Sequence, residues 1–430
     1  MQTQVEAIRD LYTRWKGEEP LSVDLLPQSG SDRRYFRLHG KEGSVIGTYG
    51  ANTRENETFI YFSRHFHNQQ LSVPEILAES ADGMYYLQED FGDISLLNRL
   101  ESEGLEPGVY NLFRLSLEKL AELQVKGHTG LDYDRCLTNA EFGKQAIMAD
   151  LLYFKYYFLD GLRKPYDKQK LIDDFEALST YLTHTEYKYF MFRDFQSRNI
   201  LVKQEADGKE TVHFIDYQGG MRGAPQYDVA SMLWQARANL PEEWKQNLLE
   251  DYINRFEELI GEPVDRTVFR SQYNGYVLIR LLQVLGAYGF RGLFERKAQF
   301  LTSIPLALRN LREFFSNQRL GISVPEFRKV LDTCVADEII DRFTPTQATD
   351  ETPLLVKVSS FSFRKMVPGD ESGNGGGFVF DCRGILNPGR VEEMKTLTGR
   401  DKPVKDFLEQ QTKMPEFLNS VFDIVDITVE

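Results

Sequence analysis

The sequence is poor in cysteine, short of basic residues relative to acidic ones, and without long uninterrupted apolar runs. Three cysteines among 430 residues, Cys136, Cys334 and Cys382, stand too far apart for a disulfide framework or a zinc-ligand pattern. Their scarcity fits a reducing compartment. With 51 Lys and Arg against 65 Asp and Glu the net charge is −14. That balance speaks against a nucleic-acid partner bound through phosphate neutralisation, which needs a broad basic face, but it leaves room for a local cationic pocket. The first residues show no basic stretch leading into an apolar core, and no apolar run reaches the roughly 18 residues that span a bilayer. A cytoplasmic location without membrane contact is expected.

Aromatic side chains, by contrast, are abundant: 30 Phe and 21 Tyr in a chain that is 41% hydrophobic. Such a chain folds, and its length suffices for two or three domains with more than one core.

Chemistry concentrates in one stretch. Phe192-Arg193-Asp194-Phe195-Gln196-Ser197-Arg198-Asn199 leads into the apolar run Ile200-Leu201-Val202; after a turn at 206–208 a second apolar run, His213-Phe214-Ile215, ends in Asp216. Asp, Asn and Gly are ordinary turn formers. The order here is more demanding, because an Asp, an Asn five residues later and a second Asp closing a hairpin supply the groups that phosphoryl transfer needs. Asp194 is positioned to take the proton of an attacking hydroxyl, and Asn199 and Asp216 offer oxygen ligands to Mg²⁺ on a nucleotide triphosphate such as ATP.

These paired motifs resemble the aminoglycoside phosphotransferase branch of the protein-kinase-like fold, and within it the sugar kinases of cell-wall recycling that phosphorylate the anomeric hydroxyl of N-acetylmuramate and N-acetylglucosamine. The family loop H-R-D-[YF]-x-x-R-N-[IL] stands here with Phe192 in place of His. The resemblance implies an α+β, two-lobed fold with an antiparallel-sheet N-lobe (1–92) and a mainly helical C-lobe carrying the catalytic loop (93–318), ATP and Mg²⁺ as cofactors, and a small sugar as substrate. It further implies that Ser31, Asp32, Arg33, Arg34 and Tyr35 cover the nucleotide phosphates, that Glu57 is the helix glutamate of the N-lobe, and that Gln88, Glu89, Asp90 and Phe91 form the adenine-binding hinge. The strand at 44–49 lacks the usual Lys, as in those sugar kinases, and Arg33 or Arg34 is expected to replace it. Arg193 and Asp228 are expected to support the loop, with Asp228 also an N-cap of the helix that it opens. Sequence spacing leaves the residues that choose the acceptor undefined.

Helical periodicity fades at 316–323, and residues 323–430 read as a small α/β module with strands at 355–363 and 378–383 and helices at 402–411 and 415–426. The motifs Ser360-Phe361-Ser362-Phe363-Arg364, Phe380-Asp381-Cys382-Arg383 with Asn387-Pro388, and Leu397-Thr398-Gly399-Arg400-Asp401 resemble the C-terminal domain of the RNase adapter RapZ. In that family the domain binds an amino-sugar phosphate through a later glycine-rich loop, so a sugar phosphate or a protein partner is expected for the module. The chain ends before such a loop, and the expectation is of an incomplete module. Two other readings stand beside the sugar kinase: a nucleotide-binding regulator acting through the tail, and a phosphotransferase for aminoglycosides or other small alcohols.

Overall fold

Val5, Ile8, Leu11 and Trp15 recur at helical spacing, and in the computed structural model they lie on α1 (Gln2–Lys16), whose apolar face covers the back of a sheet. The structure describes residues 2–27, 32–205, 207–344, 358–362, 369 and 377–429. It divides into two compact units, Met1–Pro345 and Thr346–Glu430.

The sheet comprises β1 (Ser22–Leu25), β2 (Arg34–Gly40), β3 (Gly43–Tyr49), β4 (Ile76–Glu79) and β5 (Tyr85–Glu89), in the order β1-β2-β3-β5-β4 with every neighbouring pair antiparallel. Strand alternation sends Phe36, Leu38 and Leu87 to the face covered by α1. Gly47 lies opposite Phe36 and Leu87. A Cβ there would meet Ile8 Cγ1 at 2.4 Å, so the glycine is what lets the helix sit down on the sheet. The other face carries Tyr35, Thr48 and Tyr86 in one cross-strand row. Over it lies α2 (Thr53–His67), started by the Asn52 side chain accepting from Glu55 N. Phe59 of α2 stacks on Tyr217 at 4.9 Å, and Phe66 meets Phe190 edge-on at 4.8 Å, which fuses the sheet half to the helical half in one core.

The helical half contains α3 (Leu96–Glu103), α4 (Pro107–His128), α5 (Lys144–Phe154) and α6 (Lys168–Thr183), then two small antiparallel pairs, β6 (Tyr189–Met191) with β9 (Met221–Gly223) and β7 (Ile200–Gln204) with β8 (Glu210–Phe214). After these come α7 (Gln226–Leu233), α8 (Glu242–Ile260), α9 (Arg266–Tyr288), α10 (Ala298–Leu301), α11 (Ile304–Asn317), α12 (Pro325–Cys334) and α13 (Asp337–Phe343). With the π-helical turn that follows it, α9 is, among the described residues, the one helix long and apolar enough to cross a membrane. Its apolar residues are instead core, buried from Phe269 to Gly286, and Gln272 and Arg280 are buried among them with polar partners.

The first unit runs past the break at 316–323. Phe327 of α12 packs edge-on against Phe175 of α6 at 4.8 Å, its backbone N–H donates to Asp174, and Glu326 accepts from Asp167 N. The helical half therefore continues through α13.

In the second unit the described residues form three short 3₁₀ turns and two helices, α14 (Lys402–Gln411) and α15 (Met414–Val429), as periodicity predicts for the helices. The strand expected at 378–383 is absent. Asp381 accepts from Arg383 N at 3.0 Å and pairs with its guanidinium, closing a local turn that competes with extended backbone. Of the strand expected at 355–363, residues 358–362 have no regular structure and the rest lies outside the described residues. Among the described residues this unit is helical rather than α/β.

Candidate active site

The loop 192–199 joins β6 to β7 and is held by hydrogen bonds to Asp228 and Asp150. Two non-glycine residues sit in left-handed backbone, Arg193 at φ +80° and Asp216 at φ +71°. This strain persists only where the surroundings over-determine it. Asp228, fully buried in the first turn of α7, accepts hydrogen bonds from Phe192 N (2.8 Å), Arg193 N (2.9 Å) and Gln124 Nε2 (2.8 Å). Its carboxylate is spent on the loop, and the N-cap position of α7 belongs to Pro225 instead. The Arg193 guanidinium forks onto both oxygens of Asp150 at 2.9 Å, donates to the Tyr227 hydroxyl at 2.8 Å and lies over the Phe142 ring. Phe192, where the related loops carry His, is fully buried edge-on among Phe195, Phe214 and Tyr217.

On this frame Asp194 presents a half-open carboxylate, 47% exposed, with one oxygen 3.3 Å from the buried Arg280 guanidinium. Its main-chain carbonyl accepts from Asn199 Nδ2 at 2.9 Å, and the same amide nitrogen lies 3.2 Å from Asp216 Oδ2. Burial and the negative charge of Asp194 push the Asp216 carboxyl up from its ordinary range. A cation placed between these carboxylates would relieve both effects. Among the described residues no three His, Cys, Asp or Glu side chains gather as a metal cage. One carboxylate and one amide oxygen, completed by substrate oxygens, is the donor set that suits a hard divalent ion.

The chain of contacts continues into the sheet half. Gln218 Nε2 donates to Asp216 Oδ1 at 2.8 Å and reaches Glu55 Oε1 at 3.4 Å. The same Glu55 oxygen lies 3.3 Å from Arg33 NH2, both side chains being largely buried. Asp194, Asn199, Asp216, Gln218, Glu55 and Arg33 thus form one continuous polar seam.

A family model described as "Phosphotransferase enzyme family" matches residues 24–263, more than half of the chain. The chain belongs to this family. A second model, the RapZ C-terminal domain, matches residues 354–430 of the phosphotransferase. The chain is similar over 356 residues, at 22% identity, to an N-acetylmuramate/N-acetylglucosamine kinase of Neisseria meningitidis serogroup B, covering 80% of this chain and all of that protein. Its tail is 34% identical over 79 residues to a nucleotide-binding protein of Fervidobacterium nodosum; the match covers 18% of this chain and 26% of that protein. Among solved structures it is similar to a choline kinase from Cryptosporidium parvum, at 12% identity and a TM-score of 0.49, covering 78% of this chain and 97% of that one. The fold is kinase-like, with a five-stranded antiparallel N-terminal sheet and a mainly helical remainder.

Other expected site residues of this phosphotransferase are placed differently from the sequence reading. Glu57 is exposed on α2. Two residues along a helix is a rotation of about 200°, so Glu55, not Glu57, faces the seam. Arg34 turns away to Gln4 of α1 at 3.0 Å, whereas Arg33 is buried beside Glu55. Asp32 is exposed, Tyr35 stands beside Arg33, and Ser31 lies outside the described residues. In the hinge segment Asp90 is consumed structurally: it accepts from Arg37 Nε (2.6 Å), Ser44 Oγ (2.6 Å) and Gly92 N (2.9 Å). Glu89 lies 3.8 Å from Lys203, and Phe91 stacks on His213 at 3.8 Å. Gln88 is buried, and its Oε1 has no hydrogen-bond partner among the described residues.

Arg280 and Asp150 were not among the expected site residues. Each is a charge inside an apolar helical run, Leu278-Ile279-Arg280-Leu281-Leu282 and Met148-Ala149-Asp150-Leu151-Leu152. A charge so placed must be paired when buried, which is the one signal that could have found them.

Proposed function

We propose that this phosphotransferase moves the γ-phosphoryl group of ATP to the anomeric hydroxyl of an amino sugar of the N-acetylmuramate or N-acetylglucosamine type. The observation that carries the reading is Asp194, held half-open beside Arg280 and one amide away from Asp216. Asp194 takes the proton of the sugar hydroxyl as its oxygen bonds to phosphorus, while the bond from phosphorus to the bridging oxygen of ADP breaks. Asn199 and Asp216 would hold Mg²⁺, which neutralises charge on the phosphates. Arg33, kept in place by Glu55, supplies the cation that the strand Lys supplies in other kinases. Gln88 Oε1, buried and unsatisfied, suits the amino group of adenine.

An amino sugar is favoured over an aminoglycoside by the activity of the meningococcal relative, which this chain matches over that protein's whole length. A nucleotide-binding regulator without catalysis would have no need of the half-open Asp194 carboxylate beside Asn199 and Asp216, and the cytoplasm, where ATP and salvaged sugars are both present, is the place for the reaction.

Mg-ATP offered with N-acetylmuramate, N-acetylglucosamine, glucosamine and an aminoglycoside tests the proposal through ADP release. Release above the acceptor-free rate with an N-acetylated sugar supports it, and release with the aminoglycoside alone would refute it. Arg33→Ala should raise the KM for ATP roughly 10-fold or more, as expected for a lost charge-assisted contact, while Arg34→Ala and Glu57→Gln stay within about twofold. An Arg34→Ala effect as large as that of Arg33→Ala would reverse the assignment.

A further inference from the structure

Two guanidiniums, Arg193 and Arg280, neighbour the Tyr227 hydroxyl, but their charges are met differently. Arg193 has a dedicated counter-ion, with both terminal nitrogens forked onto Asp150 at 2.9 Å. Arg280, only 4% exposed within α9, has no such partner. Its NH1 donates to the neutral Gln283 amide oxygen at 2.5 Å, and its NH2 lies 3.3 Å from Asp194 Oδ1. Among the described residues Asp194 is the one carboxylate within ion-pair reach of Arg280.

Taking a guanidinium out of water is costly, and a well-packed apolar side chain in its place often leaves a fold as stable or more so. Stability alone therefore gives α9 no reason to carry an arginine between Ile279 and Leu281, both of them buried. Placement does. Asp194 sits on a loop and is 47% exposed, so its carboxylate can turn unless one oxygen is tied. Arg280 projects from a helix buried from Phe269 to Gly286, a stiffer mount than a loop, and Gln283 one turn on holds its other nitrogen. With Oδ1 on Arg280, the second oxygen of Asp194 has no hydrogen bond among the described residues and is left for a proton.

We propose that Arg280, braced by Gln283, is the positioning residue for Asp194: it anchors one carboxylate oxygen on the rigid helix and leaves the other aimed at the proton of the acceptor hydroxyl. In this role Arg280 touches neither nucleotide nor acceptor and acts only through Asp194. The inference rests on Asp194 as the proton acceptor proposed above, and not on which alcohol is phosphorylated.

The test is a double-mutant cycle on the full chain. Arg280→Met, which keeps much of the bulk and removes the donors, is made in wild type and in Asp194→Asn, with thermal melting to confirm folding. ADP release at varied Mg-ATP gives kcat and KM, with the fastest acceptor among N-acetylmuramate, N-acetylglucosamine, choline and an aminoglycoside. In wild type kcat should fall roughly 10- to 100-fold, as for a misplaced catalytic group, with the KM for ATP within about twofold. In Asp194→Asn the same change should alter kcat by less than about twofold, because the group through which Arg280 acts is already gone. An Arg280→Met kcat within about threefold of wild type, or an equal fall in both backgrounds, overturns the inference, while a slow Asp194→Asn leaves the proposed base standing. If Asp194→Asn is as fast as wild type, or no acceptor turns over, the base and its positioning residue fall together. Should Arg280→Met not fold, Gln283→Leu goes through the same cycle: a kcat loss of about threefold or more, confined to the background that keeps Asp194, supports the inference, and any other result overturns it.

Discussion

Asp194→Asn is expected to lower kcat for ADP release in the presence of sugar by roughly 10²–10⁴-fold, the usual contribution of a positioned general base. The loss should fall on kcat rather than on nucleotide affinity. Asp194 has one oxygen on Arg280 and its main-chain carbonyl on Asn199, and both contacts survive in shape when the carboxylate becomes an amide. Steady-state kinetics with a nucleotide-binding titration separates the two quantities. An Asp194→Asn protein retaining more than about a tenth of wild-type kcat would remove the carboxylate from proton transfer.

The second large effect concerns stability. Asp228→Ala strips three buried donors, Phe192 N, Arg193 N and Gln124 Nε2, of their acceptor. Each orphaned donor costs about 1–3 kcal/mol, and the sum, after partial relaxation, is about 3–5 kcal/mol. A melting temperature lower by roughly 6–10 °C follows for a unit of this size. The left-handed Arg193 backbone would lose its restraint in the same step, so activity should fall with stability. Burial also pushes the Asp228 carboxyl up to about 7 despite its donors. The folded state therefore binds this proton more tightly than the unfolded chain does. The group's contribution is full below about pH 4 and is lost as pH rises through about 7. Asp228→Asn, which mimics the protonated form but offers only one acceptor oxygen, should be destabilised and should lack this pH dependence. Calorimetry between pH 5 and 8 measures both.

The parts of the site legible in the sequence were those held close together along the chain. Asp194, Asn199 and Asp216 lie within 23 residues on one loop and one hairpin, so their order alone implies their meeting. Glu55 was missed for a geometric reason. Glu55 and Glu57 share one helix turn, and only the direction of α2 over the sheet decides which points inward. Asp90 illustrates the converse, since its neighbours in sequence gave no sign of Arg37, 53 residues earlier, which takes its carboxylate. Arg280 comes 86 residues after Asp194, and nothing but the awkwardness of a charge in an apolar helix announced it. In the second unit, alternating Phe and Val at 378–380 looked extended, but Asp381 and Asn387 each turn back onto a backbone N–H two residues on. Short polar side chains won there over β-propensity.

The central claim is that Asn199 and Asp216 gather the nucleotide's metal beside Asp194. A crystal grown with Mn²⁺ and a non-hydrolysable ATP analogue measures it most directly, because the anomalous signal of manganese locates the ion without reference to the chain. The account predicts a peak within about 2.0–2.4 Å of an Asp216 carboxylate oxygen and the Asn199 amide oxygen, with the terminal phosphate facing Asp194. Manganese and nucleotide bound together elsewhere, with neither Asn199 nor Asp216 touching the ion, would contradict it.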